Sequence, residues 1–171
     1  MRSRRRSSAY CARVDFSDWL LALHVLAAFA LIGALVLFSA VMVAGWAVDR
    51  PRRAIAYSRL AAVGGPLVGA GAALALLFGI ALAIDLDEYR VWDAWILISI
   101  VLWMIGGAAG SRVGAHYGGA QELAKRLEGA GDEPSSELAA ELSNRRVATL
   151  HVITVAAFTI ILVLMVFKPG A

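Results

Sequence analysis

The sequence predicts an all-α fold: four membrane-spanning helices packed as a bundle, with a short helical cytoplasmic loop between the third and fourth spans. The chain is 60% hydrophobic and only 17% charged, whereas about 25% of the residues of a soluble domain are charged. Long charge-free segments lie at residues 19–48, 60–84, 94–111 and 147–167. Because about 20 mostly apolar residues cross a bilayer, these segments predict membrane helices rather than the core of a soluble protein.

The predicted domain organisation is a basic polar tail followed by one membrane domain. The tail covers residues 1–18 and the membrane domain covers residues 19–171, with spans near 19–48, 55–84, 92–118 and 147–167. The first apolar segment is longer than the roughly 7–15 residues of a signal peptide, so we interpret it as a retained span. Trp19 and Trp46, at its two ends, are typical of membrane–water interfaces.

Small residues recur at every fourth position in the second and third spans. The stripe of the second span comprises Gly65, Gly69 and Ala73, and that of the third comprises Gly106, Gly110, Gly114 and Gly118. Residues four apart share one helix face, and small residues let helix backbones approach closely in lipid. Because only a short acidic loop at residues 85–93 joins the two spans, we predict that the stripes pack against each other. Stripes that faced outward would instead predict a homodimer.

The polar segment at residues 119–146 predicts two short helices, at 121–128 and 135–146, interrupted by glycine and proline. Glu122 with Arg126, and Glu141 with Arg145, have the favourable order for charge pairs four residues apart. These charges predict a solvated face. We expect the second short helix to continue directly into the fourth span.

The distribution of lysine and arginine predicts the orientation, because cytoplasmic loops are enriched in both. The second loop contributes only Arg90 and the C-terminal end only Lys168, whereas the first and third loops hold Arg50, Arg52, Arg53, Arg59, Arg112, Lys125, Arg126, Arg145 and Arg146. This pattern places loops one and three in the cytoplasm of a bacterium and both termini outside its cytoplasmic membrane. Arginines in the N-terminal tail oppose this orientation, and we give the loops precedence.

Several function classes are disfavoured by what the sequence lacks. The charge-free segments contain no acidic residue, whereas proton relays and cation pathways usually contain one, which argues against an ion-coupled permease. No nucleotide-binding, metalloprotease or nucleophile-elbow motif is present, so we predict no catalytic residues and favour a protein that is not an enzyme. The arginines lack a fold that would present them to nucleic acid, and we predict no nucleic-acid partner.

The candidate cofactor-binding residues are His24, His116, His151 and Arg112, since histidines in helical bundles can bind haem or a metal. His24 begins the first span and His151 begins the fourth, so they should lie about 15–20 Å apart along the membrane normal. That distance prevents them from sharing one iron, whereas His116 could share a site with His151. The favoured interpretation of each histidine is structural: an interhelical hydrogen-bonding group for His24, an interfacial polar residue for His116 and a helix-start residue for His151, with ligand binding as the alternative. Arg112 either extends to the lipid headgroups or forms an anion or propionate pocket with His116.

Four stretches of the sequence resemble a bacterial family of predicted integral membrane proteins, domain of unknown function 2269. They are LHVLAAFALIGALV, GGPLVGAGAALALLFG, QELAKRLEGAGDEPSSELAAELSNRR and LVLMVFKPG. That family is distantly similar to the membrane domain of copper-resistance protein D and to a four-helix haem-binding protoporphyrinogen oxidase of bacteria. The resemblance implies a four-helix membrane fold, and it implies that His24 matches a first-span histidine associated with haem or metal.

Three functional interpretations follow. The sequence favours the first, a non-catalytic structural or accessory membrane protein, and the alternative is a haem- or metal-binding membrane protein in redox or copper handling. A small-solute permease is the third. The cofactor is not defined by the sequence, with haem b as the candidate. The expected partners are the lipid bilayer and either a second copy of the chain or other membrane proteins.

Overall fold

The computed structural model describes residues 15–86 and 92–169, which form five α-helices and no strand. These are α1 (Phe16–Gly45), α2 (Pro51–Asp85), α3 (Ala94–Ala130), α4 (Ser136–Leu142) and α5 (Arg145–Phe167). The helical segments that contain α1, α2, α3 and α5 are long and apolar enough to cross a membrane. The prediction of an all-α bundle with four membrane-spanning helices is therefore confirmed. The predictions for most of the N-terminal tail and for Arg90 in the second loop lie outside the described residues.

Local chemistry explains where the helices begin. The backbone N–H of Asp15 donates to the Asp18 carboxylate at 2.9 Å in the first turn of α1, and a carboxylate there also complements the helix dipole. Pro51 occupies the first turn of α2, where its missing N–H has no helical partner to lose. At the start of α5, the Asn144 side chain accepts a hydrogen bond from the Arg146 backbone at 3.0 Å.

Two predictions for the polar segment are wrong. Residues 121–128 continue α3 rather than forming a separate helix, since α3 runs to Ala130; the glycines before them do not outweigh the strong helix formers that follow. The second short helix does not continue into the fourth span, because α4 ends at Leu142 and α5 begins at Arg145. Asn144 favours this break, since its side chain caps a new helix.

Glycines lie at two close crossings of the helices. Helix α1 packs on α2, α2 on α3, and α3 on α5. A Cβ atom added to Gly71 of α2 would lie only 3.0 Å from the Leu31 backbone nitrogen of α1, and one added to Gly106 of α3 would lie 3.2 Å from the Ala157 Cβ of α5. Association in lipid depends on such close packing, so these two crossings stabilise the bundle.

The predicted contact between the two small-residue stripes is not formed. A Cβ atom on Gly106 or Gly110 would meet α5, whereas one on Gly65, Gly69, Gly114 or Gly118 would meet no atom within 4 Å. Ala73 is exposed. All six glycines instead line the walls of a cavity between α2 and α3. Helical spacing identifies the faces correctly, but it does not show that α2 approaches α1 most closely through Gly71, a residue outside the stripe.

Loops one and three meet at one end of the bundle. The Ser135 backbone N–H donates to the Asp49 carbonyl at 2.9 Å, and the Arg52 N–H donates to the Asp132 carboxylate at 2.9 Å. Beneath these contacts lies an apolar cluster that comprises Val48, Ala54, Ala120, Ala124, Leu138 and Leu142. Helix α4 therefore closes this end of the bundle over α1, α2 and α3.

Candidate ligand-binding cavities

The bundle contains two large, partly open cavities, and each is called by the histidine that lines it. The His24 cavity has a volume of about 560 Å³ and is lined by α1, α2, α3 and α5, towards the end where α1 begins and α5 ends. The His151 cavity has a volume of about 420 Å³ and lies between the glycine-bearing faces of α2 and α3. Both volumes fall in the range of roughly 300–1,000 Å³ that is typical of small-molecule sites.

The His24 ring is held by the backbone of α2. Its Nδ1 atom lies 2.8 Å from the carbonyl oxygen of Ala75. Because a carbonyl oxygen can only accept, the hydrogen between them belongs to Nδ1, and Nε2 of the neutral ring carries a lone pair. Within the part of the chain that the structure describes, Nε2 makes no hydrogen bond. His24 therefore lines the cavity with one nitrogen fixed by the backbone and the other available to a ligand.

Gly79 makes room for the His24 ring. A Cβ atom at position 79 would lie 3.2 Å from Nδ1 of His24 and 2.9 Å from Cε1, and the second distance is shorter than real Cβ atoms show. A larger residue at this position would therefore displace the ring from its hydrogen bond. Gly79 is a candidate site residue that the sequence pattern does not indicate, because it lies outside the stripe of small residues at every fourth position in the second span.

A signal for Gly79 does exist in the register of the antiparallel α1–α2 pair. Gly71 contacts Leu31, and Gly79 contacts His24. These contacts are separated by seven residues on α1 and eight on α2, which is about two helical turns on each. Once Gly71 and Leu31 are placed together, the same register brings His24 to Gly79.

The remaining walls of the His24 cavity are mostly apolar, and they include Leu21, Val25, Ala28, Ile80, Ile96, Ile100, Trp103 and Leu162. Ser17, Asp18 and Lys168 provide polar groups where α1 begins and α5 ends. Met165 contributes a thioether to the same cavity. Its position could not be foreseen from sequence, because Met165 lies far from every other methionine and histidine along the chain.

His151 is 5% exposed and has one nitrogen engaged by α1. Its Nε2 lies 2.8 Å from the Ser39 hydroxyl oxygen, and that hydroxyl donates its own hydrogen to the Leu35 carbonyl at 2.7 Å. The hydrogen between Ser39 and His151 therefore comes from the imidazole. This leaves Nδ1 as an acceptor, and no described residue donates to it.

The polar groups around the His151 cavity are all uncharged. Thr154 is buried and donates to the Leu150 carbonyl at 3.0 Å. Ser58, Tyr117 and Gln121 also line the cavity, which has no acidic, lysine or arginine side chain among its described lining residues. The cavity therefore offers hydroxyl, amide and imidazole groups, without the charge that would hold an ion.

His116 and Arg112 line neither of these two cavities. The His116 Nε2 atom donates to the Glu141 carbonyl at 2.9 Å, and Nδ1 lies 3.4 Å from the Glu141 carboxylate. Arg112 is exposed on α3. The structure thus joins His116 to the end of α4 and does not bring it together with His151, and it places neither Arg112 nor His116 at a propionate-sized pocket.

One layer of side chains separates the two cavities. Ala72 and Phe158 line both of them, and they form one apolar cluster with Leu31 and Leu35. The Trp103 ring N–H donates to the Ala72 carbonyl at 3.1 Å across this layer. The layer keeps His24 and His151 in separate sites.

The fold and these cavities define an integral membrane protein whose helical bundle has room for ligands. The chain belongs to the family of predicted integral membrane proteins DUF2269, whose model matches residues 18–169. No curated protein and no solved structure matches the chain. The family resemblance is therefore confirmed, whereas the distant similarity to copper-resistance protein D and to protoporphyrinogen oxidase stays a prediction.

Proposed function

We propose that this protein binds haem b in the membrane, and that His24 would hold the iron in the His24 cavity. The observation that carries the proposal is the hydrogen bond from His24 Nδ1 to the Ala75 carbonyl at 2.8 Å. Histidines that bind metals usually donate their other ring hydrogen to a carbonyl or carboxylate, which fixes the ring and its tautomer. The backbone of α2 provides this support beside a cavity of ligand size.

The other residues of the His24 cavity fit a flat, largely apolar macrocycle. The apolar walls of the cavity would exclude water from the haem macrocycle. Ser17 and Lys168 would provide polar contacts for the haem propionates. Met165, which lines the same cavity, would be a further candidate to hold the iron, since His and Met together ligate haem in one class of cytochromes. When bound, haem would supply one-electron transfer.

Haem fits this site better than a bare metal ion does. Among the described residues there is no group of three or more His, Cys, Asp or Glu side chains that could hold a metal. A copper or zinc ion normally needs several such ligands, whereas haem brings four nitrogen ligands and needs only one or two from the protein. We therefore favour haem binding over copper handling.

The structural-protein and permease interpretations are less well supported. A histidine that only linked α1 to α2 would need the Ala75 hydrogen bond, but it would not need a cavity beside its second nitrogen. A permease would favour a polar path across the bundle, whereas the apolar layer at Ala72 and Phe158 separates the two cavities. The resemblance to a haem-binding oxidase with a first-span histidine agrees with the proposal.

A haem titration of His24→Ala tests the proposal. In detergent, the wild-type protein is expected to bind one haem with a saturating Soret band. The variant is expected to bind at least 10-fold more weakly, equivalent to about 1.4 kcal/mol or more, because the iron loses its axial ligand. His116→Ala is the matched control, since His116 lies outside the cavity, and it should bind as the wild type does. Equal affinity in His24→Ala and wild type would refute the role of His24.

We also propose that the protein lies in the bacterial cytoplasmic membrane with loops one and three in the cytoplasm. The proposal is supported by the hydrogen bonds that join these two loops at one end, Ser135 to Asp49 and Arg52 to Asp132, and by the basic residues that both contain. Alkaline phosphatase fused after Pro169 is expected to be active outside the membrane. If the phosphatase fused there were inactive, and a green fluorescent protein fused at the same position were fluorescent, the orientation would be the reverse.

A further inference from the structure

We infer that the His151 cavity binds a lipid-soluble quinol, an uncharged aromatic ring with hydroxyl groups and an apolar tail. This site is distinct from the proposed haem site, since different histidines line the two cavities. The inference depends on the hydrogen-bonding state of His151, on the glycine walls and on the absence of charge.

The first observation is that the Nδ1 atom of His151 has no hydrogen-bond donor among the described residues. The side chain is almost fully buried, with 5% of its surface exposed, and Nε2 donates to Ser39. No described residue donates to Nδ1, so this nitrogen can accept a hydrogen bond from a molecule in the cavity that His151 lines. A ligand hydroxyl would satisfy it, whereas a lipid acyl chain or a quinone without a hydroxyl would not.

The second step is the shape of the walls. Gly65 and Gly69 on α2, and Gly107 and Gly114 on α3, line the cavity and have no neighbouring atom within 4 Å of where a Cβ would lie. Gly69, Gly107 and Gly114 are exposed, so the bare backbone of the two helices forms a slot that opens towards the lipid. A flat ring can enter this slot from the membrane, because the glycine faces do not close against each other as they normally do in lipid.

The third step is the distribution of polarity. The Tyr117 and Ser58 hydroxyls and the Gln121 amide are uncharged partners for ring oxygens, while Leu35, Val68 and Phe158 line an apolar part of the same cavity. An anionic lipid headgroup would lack a cationic partner there, and burying its charge would be strongly unfavourable. A neutral amphiphile therefore matches the cavity better than a phospholipid headgroup does.

Saturation binding of reduced decylubiquinone to the detergent-purified protein, corrected for empty micelles, tests the inference. Gly114→Leu would fill the slot without striking the backbone and is expected to weaken binding at least 10-fold. Gly33→Leu is the matched control, because Gly33 lines neither large cavity and also has open space at its Cβ position; it should bind as the wild type does. Equal binding by Gly114→Leu and wild type, or no saturable binding above micelles, would overturn the inference.

A second pair of variants tests the role of His151. His151→Phe removes the acceptor and should weaken binding about 10-fold, whereas His151→Gln retains an acceptor and should recover part of the affinity. All measurements are repeated in His24→Ala, which lacks the proposed haem ligand, so that failure of the haem proposal does not affect the result. Equal affinities for His151→Phe and wild type would contradict the assigned acceptor. Retention of a phospholipid that the quinol cannot displace would identify an acyl chain as the occupant and overturn the inference.

Discussion

Replacing Gly79 with valine is expected to weaken haem binding strongly while the helices remain intact. A Cβ atom at position 79 would lie 2.9 Å from Cε1 of His24, so the valine must push the imidazole away from the Ala75 carbonyl. The ring would then lose both its position and the hydrogen bond that fixes its tautomer. We expect haem binding to weaken at least 10-fold, as in His24→Ala, which corresponds to about 1.4 kcal/mol and is measured from the Soret band during titration.

Gly69→Val is the control for this prediction. Gly69 lies on the same helix, and a Cβ atom there meets no atom within 4 Å, so its haem affinity should equal that of the wild type. Far-ultraviolet circular dichroism should show equal helix content in all three proteins. Wild-type haem affinity in Gly79→Val would contradict the proposed arrangement of His24, because the ring cannot stay where it is beside a valine.

Replacing Gly71 with valine is expected to destabilise the bundle strongly. Its Cβ atom would lie 3.0 Å from the Leu31 nitrogen, 3.1 Å from its Cα and 3.2 Å from its Cβ. Two of these are backbone atoms, which can move only if α1 moves as a whole. Overpacking of this kind is unfavourable by about 1–3 kcal/mol and occasionally more, and we expect a loss of about 3 kcal/mol in the free energy of unfolding.

Unfolding in mixed micelles of increasing dodecyl sulfate content, followed by circular dichroism, measures this loss. Gly69→Val again provides the comparison, since the two positions lie two residues apart on α2 and differ in what their Cβ atoms would meet. Its stability should remain within about 0.5 kcal/mol of the wild type. An equal loss of stability in both variants would contradict the close crossing of α1 and α2 at Gly71.

Most of the fold is predictable from the sequence because the bilayer imposes a simple requirement. Four long charge-free segments could only be four helices, since each backbone polar group must be satisfied within its own segment. The break before α5 was missed because it depends on one side chain: Asn144 either continues a helix or caps a new one. The helix packing was predicted only in part, because the spacing of Gly65 and Gly69 specifies a face of α2 but not the helix that lies against it.

The candidate site was predictable to a lesser degree. His24 is recognisable as a histidine at the start of an apolar span, but its support is not, because the Ala75 carbonyl is presented by the register of α1 against α2. Gly79 does not continue the stripe of small residues in the second span, so the spacing of small residues does not indicate it. Arg112 and His116 share a helix face as predicted, but nothing in their spacing shows that the end of α4, through Glu141, is the partner of His116.

The haem content of the wild-type protein, purified from membranes of cells supplied with iron and haem precursor, tests the central claim most directly. It is measured as the pyridine haemochromogen, relative to protein quantified by amino-acid composition. Binding through His24 predicts about one haem b per chain and a Soret band that co-elutes with the protein. A folded, monodisperse preparation that holds no haem, and takes up none on reconstitution, would contradict it.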